Sequence, residues 1–151
     1  MKAPRIRICL ILFLTFVFLN SGIISGFAAA DHENSTASES GDYIVYYFHT
    51  DYRCSSCERI EEWSEDAVKS GFARALQEDR LQWQVHNVDR QEYKHFVRDF
   101  DLYTKSLVIV EQEDGEPVRW KNLDQVWQLL RNKEKFTEYV QSEIKAFMEK
   151  N

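Results

Sequence analysis

Apolar and polar positions from residue 43 to residue 147 follow two periods, one of two residues and one of three to four, and the switches between them mark out the elements. Tyr43-Ile44-Val45-Tyr46-Tyr47-Phe48 is an unbroken apolar run of β-prone side chains. A short run without polar alternation predicts a strand covered on both faces within a parallel sheet, with helices on either side. From Cys57 to Leu76, the residues Ile60, Trp63, Ala67, Val68, Phe72, Ala75 and Leu76 recur at spacings of three and four, which predicts an amphipathic helix. Leu81, Trp83 and Val85 alternate with polar residues and predict a second strand. Tyr93, Phe96, Val97 and Phe100 fall on one side of a short helix over about Gln91 to Phe100. Leu107-Val108-Ile109-Val110 predicts a third, buried strand, Asp114-Gly115 a hairpin turn, and Pro117 to Trp120 a fourth strand. Pro117 suits a strand's first positions, where a missing N–H is tolerated. Two helical stripes close the chain, Leu123, Val126, Trp127 and Leu130, then Phe136, Tyr139, Val140, Ile144 and Phe147, with Asn132 as the break between them.

The order is strand, helix, strand, helix, strand, strand, helix. A helical crossover implies parallel strands and a tight hairpin antiparallel ones. The expected fold class is therefore α/β, with a mixed four-stranded sheet and helices on both faces, and the order resembles the layout of the thioredoxin fold. No internal repeat, low-complexity block or glycine-rich phosphate loop interrupts it.

The N-terminal residues follow another pattern. Lys2, Arg5 and Arg7 precede an apolar stretch from Ile8 to Phe18, a weaker stretch runs to Phe27, and Ala28, Ala29 and Ala30 offer a cleavage site before Asp31. Residues 1–30 are expected to be a signal peptide. The alternative is an uncleaved N-terminal anchor, since Ile8 to Phe27 has no formal charge and is long enough to cross a bilayer; Asn20, Ser21, Gly22, Ser25 and Gly26 weigh against it. In both cases the positive start stays inside, so the rest of the chain is expected to be exported, periplasmic or otherwise extracytoplasmic. Residues 31–41, rich in Ser, Asp, Glu and Asn, have no large apolar side chain and are expected to be a disordered linker. The roughly 120 residues after the signal suffice for one domain and not for two, which places a single domain over residues 42–151. The formal net charge of -6 becomes -9 once Lys2, Arg5 and Arg7 are set aside. With no basic patch in the sequence to reverse it, that charge disfavours nucleic acid and anionic membrane surfaces as partners.

Cys9 lies near the start of the apolar stretch and would leave with the signal, so Cys54 and Cys57 are the whole cysteine content of the mature chain. In an oxidising compartment, one closely spaced pair is a candidate redox disulfide. Cys54-Ser55-Ser56-Cys57 falls directly after the first strand and at the start of a helix, where unpaired backbone amides favour a negative sulfur. A lowered pKa raises the fraction of thiolate, the species that attacks a disulfide. Cys54 is assigned as attacking nucleophile and Cys57, one turn on, as resolving thiol. Arg53 either adds positive potential against Asp51 and Glu58 or is simply an exposed side chain. His49 is either a base titrating near neutral pH or a packed histidine without a catalytic role. Two other uses of the pair stay open. One is a structural staple, although so short a loop removes little entropy from the unfolded chain. The other is a zinc site, for which His86 and His95 lack finger spacing and His49 is the only histidine close in sequence.

Thioredoxins resemble the chain along nearly all of Tyr43 to Phe147, with two departures. Where they carry a cis-proline before the third strand, facing the cysteines, this chain has Tyr103-Thr104-Lys105-Ser106-Leu107, with Ser106 at about the proline position. A cis bond without proline costs about 2.5–4 kcal/mol, so a trans bond is expected. The resemblance implies that Thr104, Lys105 and Ser106 lie near the sulfurs, at the place where the proline docks peptides and keeps metals off the cysteines. Where thioredoxins often have a buried carboxylate, six residues before the first cysteine, this chain has Phe48, with His49 next.

A narrower resemblance rests on Tyr46-Tyr47-Phe48-His49-Thr50 leading to Tyr52-Arg53-Cys54-Ser55-Ser56-Cys57, on Leu102-Tyr103-Thr104-Lys105-Ser106-Leu107-Val108, and on Trp120-Lys121-Asn122-Leu123. These segments resemble a bacterial family of exported thioredoxin-like proteins described as a nitrophenyl compound nitroreductase subunit and associated with arsenic-resistance gene clusters. The resemblance implies a thiol protein paired with a membrane permease similar to the cytochrome-biogenesis electron carriers. Nitro reduction ordinarily needs a flavin or metal, no cofactor fingerprint is visible, and no cofactor is expected. The expected function is an extracytoplasmic thiol-disulfide oxidoreductase, running as a reductase from a membrane thiol-electron carrier or permease to a disulfide or thiol-reactive acceptor. Two alternatives accompany it. The Cys54 and Cys57 dithiol could serve as a binding module for a soft metal or trivalent arsenic, or the domain could be a redox-inert adaptor in a membrane complex. Trp63, Trp83, Trp120 and Trp127 would then supply contact area, although most are expected in the core.

Overall fold

A computed structural model describes residues 42–150. The signal peptide or anchor expected over residues 1–30 and the linker expected over 31–41 lie outside the described residues. The elements are β1 (Asp42–His49), α1 (Ser55–Gly71), α2 (Ala73–Gln77), β2 (Leu81–Asn87), α3 (Phe96–Asp99), β3 (Ser106–Glu113), β4 (Glu116–Asn122), a single 3-10 turn (Asp124–Trp127) and α4 (Lys133–Met148). The four strands form one mixed sheet in the order β2-β1-β3-β4. Strands β1 and β2 run parallel, with Val45 opposite Trp83, while β3 is antiparallel to both β1 and β4. This is the α/β, thioredoxin-like arrangement expected from the order of elements.

The apolar run of β1 works because it is central. Tyr43, Val45 and Tyr47 point to the face covered by α1 and α4, where they meet Ile60, Ala67, Phe136 and Ile144. Ile44, Tyr46 and Phe48 point to the other face, against Phe100, Leu102, Val108 and Val110, with Phe96 of α3 packed beside them. All six are buried, and each large apolar side chain removed from water contributes about 1.5–3 kcal/mol. A polar residue anywhere in the run would sacrifice one face or the other. Trp63, Trp83 and Trp127 are partly buried against the first cluster, whereas Trp120 is 37% exposed on β4, with its edge toward Phe100 at a ring separation of 5.7 Å.

The structure departs from expectation in four places. First, the segment between β2 and β3 is not a parallel crossover. Strand β2 ends beside His49, and β3 begins with Ser106 opposite Phe48, so both lie at the same end of β1. The linker between them stays at that end of the sheet, folded into turns and the short α3, instead of running back along it. Second, α3 covers only Phe96–Asp99 of the expected 91–100. Before it, Tyr93 N–H donates to the Arg90 carbonyl and Phe96 N–H to the Tyr93 carbonyl, bonds that close turns rather than an α-helix. Third, the helix expected through Leu76 breaks at Phe72. At that point Gly71 lets α4 come close, because a Cβ there would lie 2.7 Å from the Gln141 amide nitrogen. Fourth, the stripe from Leu123 to Leu130 forms only the 3-10 turn.

Elsewhere local chemistry acts as expected. Asp114 and Gly115 both have positive φ, 53° and 83°, as a two-residue hairpin whose twist matches its strands requires. Asn132 caps α4, its side-chain oxygen accepting from Lys135 N–H at 2.8 Å.

His86 sits on the α3 face, 4.1 Å ring to ring from Tyr93 and 5.4 Å from Tyr46. Burial lowers its pKa below the ordinary 6.5, and His49 and His95 push in the same direction. The unfolded chain therefore takes a proton before the folded one does. The stability His86 supplies is present above pH 6.5 and declines as pH falls from that value toward the lowered folded one. Denaturant titrations at pH 7.5 and pH 5 should show His86→Gln losing less stability on acidification than the natural chain; equal losses would contradict the burial argument.

Candidate functional site

The site begins where β1 ends. Residues 50–53 turn the chain into α1, and Cys54 occupies the N-cap of that helix in extended conformation. Its sulfur takes the place of the usual cap oxygen, accepting the Cys57 backbone N–H at 3.2 Å, while its carbonyl accepts from Glu58 N–H at 3.0 Å. Cys54 and Cys57 form a disulfide, with Cα atoms 5.0 Å apart. The two sulfurs are not equivalent: Cys57 is 1% exposed, whereas Cys54 is only half-buried. An incoming thiol or disulfide meets Cys54 first.

Beneath the pair lies a residue that the strand pattern did not single out. Tyr47 is fully buried, and its hydroxyl donates to the Cys57 carbonyl at 2.7 Å. Burial pushes its pKa strongly upward, with Arg53 opposing and Glu61 adding to the shift, so the phenol stays protonated and keeps donating. The available signal was parity: Tyr47 shares the α1 face with Tyr43 and Val45, and among those three it is the one nearest the cysteines. Phe48, at the position of the carboxylate in thioredoxins, lies on the opposite face of the sheet.

Arg53 is neither free nor simply exposed. Its guanidinium pairs with Glu61, the side chains being 30% and 26% exposed. The pair largely neutralises the positive potential Arg53 could offer to Cys54. Glu61 was not anticipated, because a carboxylate seven residues after the nucleophile looks like an ordinary solvated position on a helix. Of the two acids expected to oppose Arg53, Glu58 is exposed on the first turn, and Asp51 is engaged elsewhere by Asn87 Nδ2 at 2.7 Å.

His49 is half-buried, its ring stacked 6.2 Å from that of Tyr47. Its Nδ1 lies 2.9 Å from the Thr50 carbonyl. A carbonyl only accepts, so Nδ1 carries the proton and Nε2 is left as the basic nitrogen.

The loop before β3 is brought to the same end of the molecule. Lys105 Nζ lies 5.3 Å over the ring of Tyr52, two residues before Cys54, and the Lys105 carbonyl accepts from Trp127 Nε1 at 3.1 Å. Ser106 is buried, its hydroxyl donating to the Thr104 carbonyl at 2.9 Å. Thr104 itself is exposed. Among the described residues no group of three or more His, Cys, Asp or Glu side chains could hold a metal ion, and no helix is long and apolar enough to cross a membrane. No family model and no curated protein matches the chain.

Two outcomes follow from this geometry. Tyr47→Phe removes a buried hydrogen bond and should lower stability by about 1 kcal/mol in denaturant titration; no change would mean that the Cys57 carbonyl does not depend on it. Glu61→Gln leaves Arg53 unneutralised beside the motif. The pH midpoint for alkylation of Cys54 in the reduced protein should then move down, and a midpoint that stays put or rises would contradict the pairing argument.

Proposed function

We propose that the domain is an extracytoplasmic thiol-disulfide oxidoreductase, running as a reductase that passes electrons from a membrane thiol carrier or permease to a disulfide-bearing acceptor. The observation that carries the reading is the asymmetric Cys54–Cys57 disulfide at the cap of α1, with Cys54 reachable and Cys57 buried. Reduction of that disulfide by the carrier's dithiol leaves two thiols in the protein. The Cys57 N–H that already points at the Cys54 sulfur, together with the other amides of the first turn, favours Cys54 as thiolate.

That thiolate attacks one sulfur of the acceptor disulfide. A Cys54 mixed disulfide forms and the other acceptor sulfur leaves as thiolate. Cys57, deprotonated, then attacks the Cys54 sulfur, closing the internal disulfide and releasing the second acceptor sulfur as thiolate. Two electrons have passed from the protein dithiol to the acceptor, and no cofactor takes part. His49, with Nε2 as its basic nitrogen, is assigned the role of base for the Cys57 proton. The membrane carrier and the export of the domain rest on the family resemblance and on the N-terminal sequence pattern.

Turnover of a model disulfide by a chemical dithiol should vanish in Cys54→Ala, while Cys57→Ala should accumulate the mixed disulfide detectable by intact mass. Undiminished turnover in a folded Cys54→Ala protein would refute the nucleophile assignment.

A further inference from the structure

Folding assembles a positive cleft that is invisible along the chain. Lys94 comes from the turns before α3, Arg98 from α3 and Lys105 from the loop before β3; with Thr50, Val88 and Tyr103 they line a cleft of about 530 Å³. Among the described residues, Asp89 is the one carboxylate in that lining, and its Oδ2 already accepts the Asp51 backbone N–H at 2.8 Å. Arg98 shares its charge with Asp99 at 3.1 Å. Lys94 and Lys105 have no ion-pair partner among the described residues. The cleft is therefore net positive on a chain of formal net charge -6. The chain as a whole repels an anion, so any preference for one has to arise locally.

The cleft borders the segment that leads into the cysteines. Thr50 stands four residues before Cys54, and Lys105 reaches over Tyr52. Tyr52 and Tyr103 are 72% and 94% exposed, and exposed tyrosines next to a site offer large contact area at little entropic cost to a protein partner. A small anion would occupy only part of a cleft of this volume and leave the Tyr52 ring unused.

We infer that the acceptor is a polypeptide whose reacting cysteine has Asp or Glu close by, the acid seated among Lys94, Arg98 and Lys105 and the adjoining chain lying on Tyr52 and Tyr103. The inference rests on the thiol-disulfide exchange reading and adds a substrate class to it. Its chemistry is the exchange described above: the Cys54 thiolate displaces one sulfur, Cys57 displaces the other, and the acceptor gains two electrons.

The test uses the reduced protein and three short cysteine peptides flanked by Glu, Ser or Lys, each disulfide-bonded to the same chromogenic aryl thiol. Attack of Cys54 on the peptide sulfur releases the aryl thiolate, which is followed by absorbance. Each rate is divided by that of a small free thiol with the same peptide, which removes the peptide's intrinsic reactivity. The Glu peptide should then outrun the Ser peptide roughly three- to tenfold at low salt, with the Lys peptide slowest. The ratio should fall toward one at about 0.5 M salt and in the double variant Lys94→Gln, Arg98→Gln, whose altered side chains are exposed.

If no peptide is reduced, the exchange reading itself fails. If the Ser peptide is reduced but the Glu peptide is no faster, or the double variant keeps the ratio, the acidic acceptor is overturned while exchange stands. If the small dicarboxylate dithiodiglycolate outruns the Glu peptide after the same normalisation, the cleft takes a small anion and the polypeptide assignment is overturned.

Discussion

Everything at the candidate site depends on how the first turn of α1 is seated on the end of β1. The hinge is one buried contact, the Tyr47 hydroxyl donating to the Cys57 carbonyl, reinforced by the cap bond from Cys57 N–H to the Cys54 sulfur. A helix terminus carries backbone groups without intrahelical partners. Here one of its amides is directed at sulfur. Because Tyr47 belongs to the strand with the most complete burial, the helix start inherits the rigidity of the sheet. The position of Cys54 is set by packing rather than by a loop, which suits a nucleophile whose reactivity depends on orientation.

The electrostatics around this seat are restrained. Arg53 is paired with Glu61, so the helix terminus, rather than a neighbouring cation, is left as the main source of stabilisation for a Cys54 thiolate. Such restraint is what the proposed reductase needs: a thiolate that is too stable makes the reduced form too stable and turns the pair into an oxidant. Lys94 and Lys105, two cations without an ion-pair partner among the described residues, line the adjoining cleft, where charge acts on what arrives rather than on the sulfur.

Much of this was legible along the chain, for identifiable reasons. The unbroken run of β1 announced burial on two faces, and the strand is indeed central, with one core cluster on each side. Asp114-Gly115 named its own turn, since few residue pairs adopt two positive φ angles cheaply. The Cys-x-x-Cys pair between a strand and a helical pattern pointed to a helix cap. What could not be read depended on three-dimensional neighbours. The direction of β3 turns on the path of the linking segment, which folds at one end of the sheet instead of crossing it, and helical periodicity alone overstated α3. Glu61 pairs with Arg53 only because the chain turns between β1 and α1. Tyr47 looked like any other member of an apolar run until its hydroxyl was seen to have a partner.

The central claim is that the Cys54–Cys57 disulfide is an exchanging couple rather than a fixed crosslink, and its reduction potential tests that claim most directly. Equilibration of the domain with defined thiol-disulfide buffers should give a value near the reducing end of the exchange range, at roughly -270 to -200 mV. A value well below about -300 mV would identify a structural staple and contradict the account, and one near -120 mV would reverse the direction of electron flow.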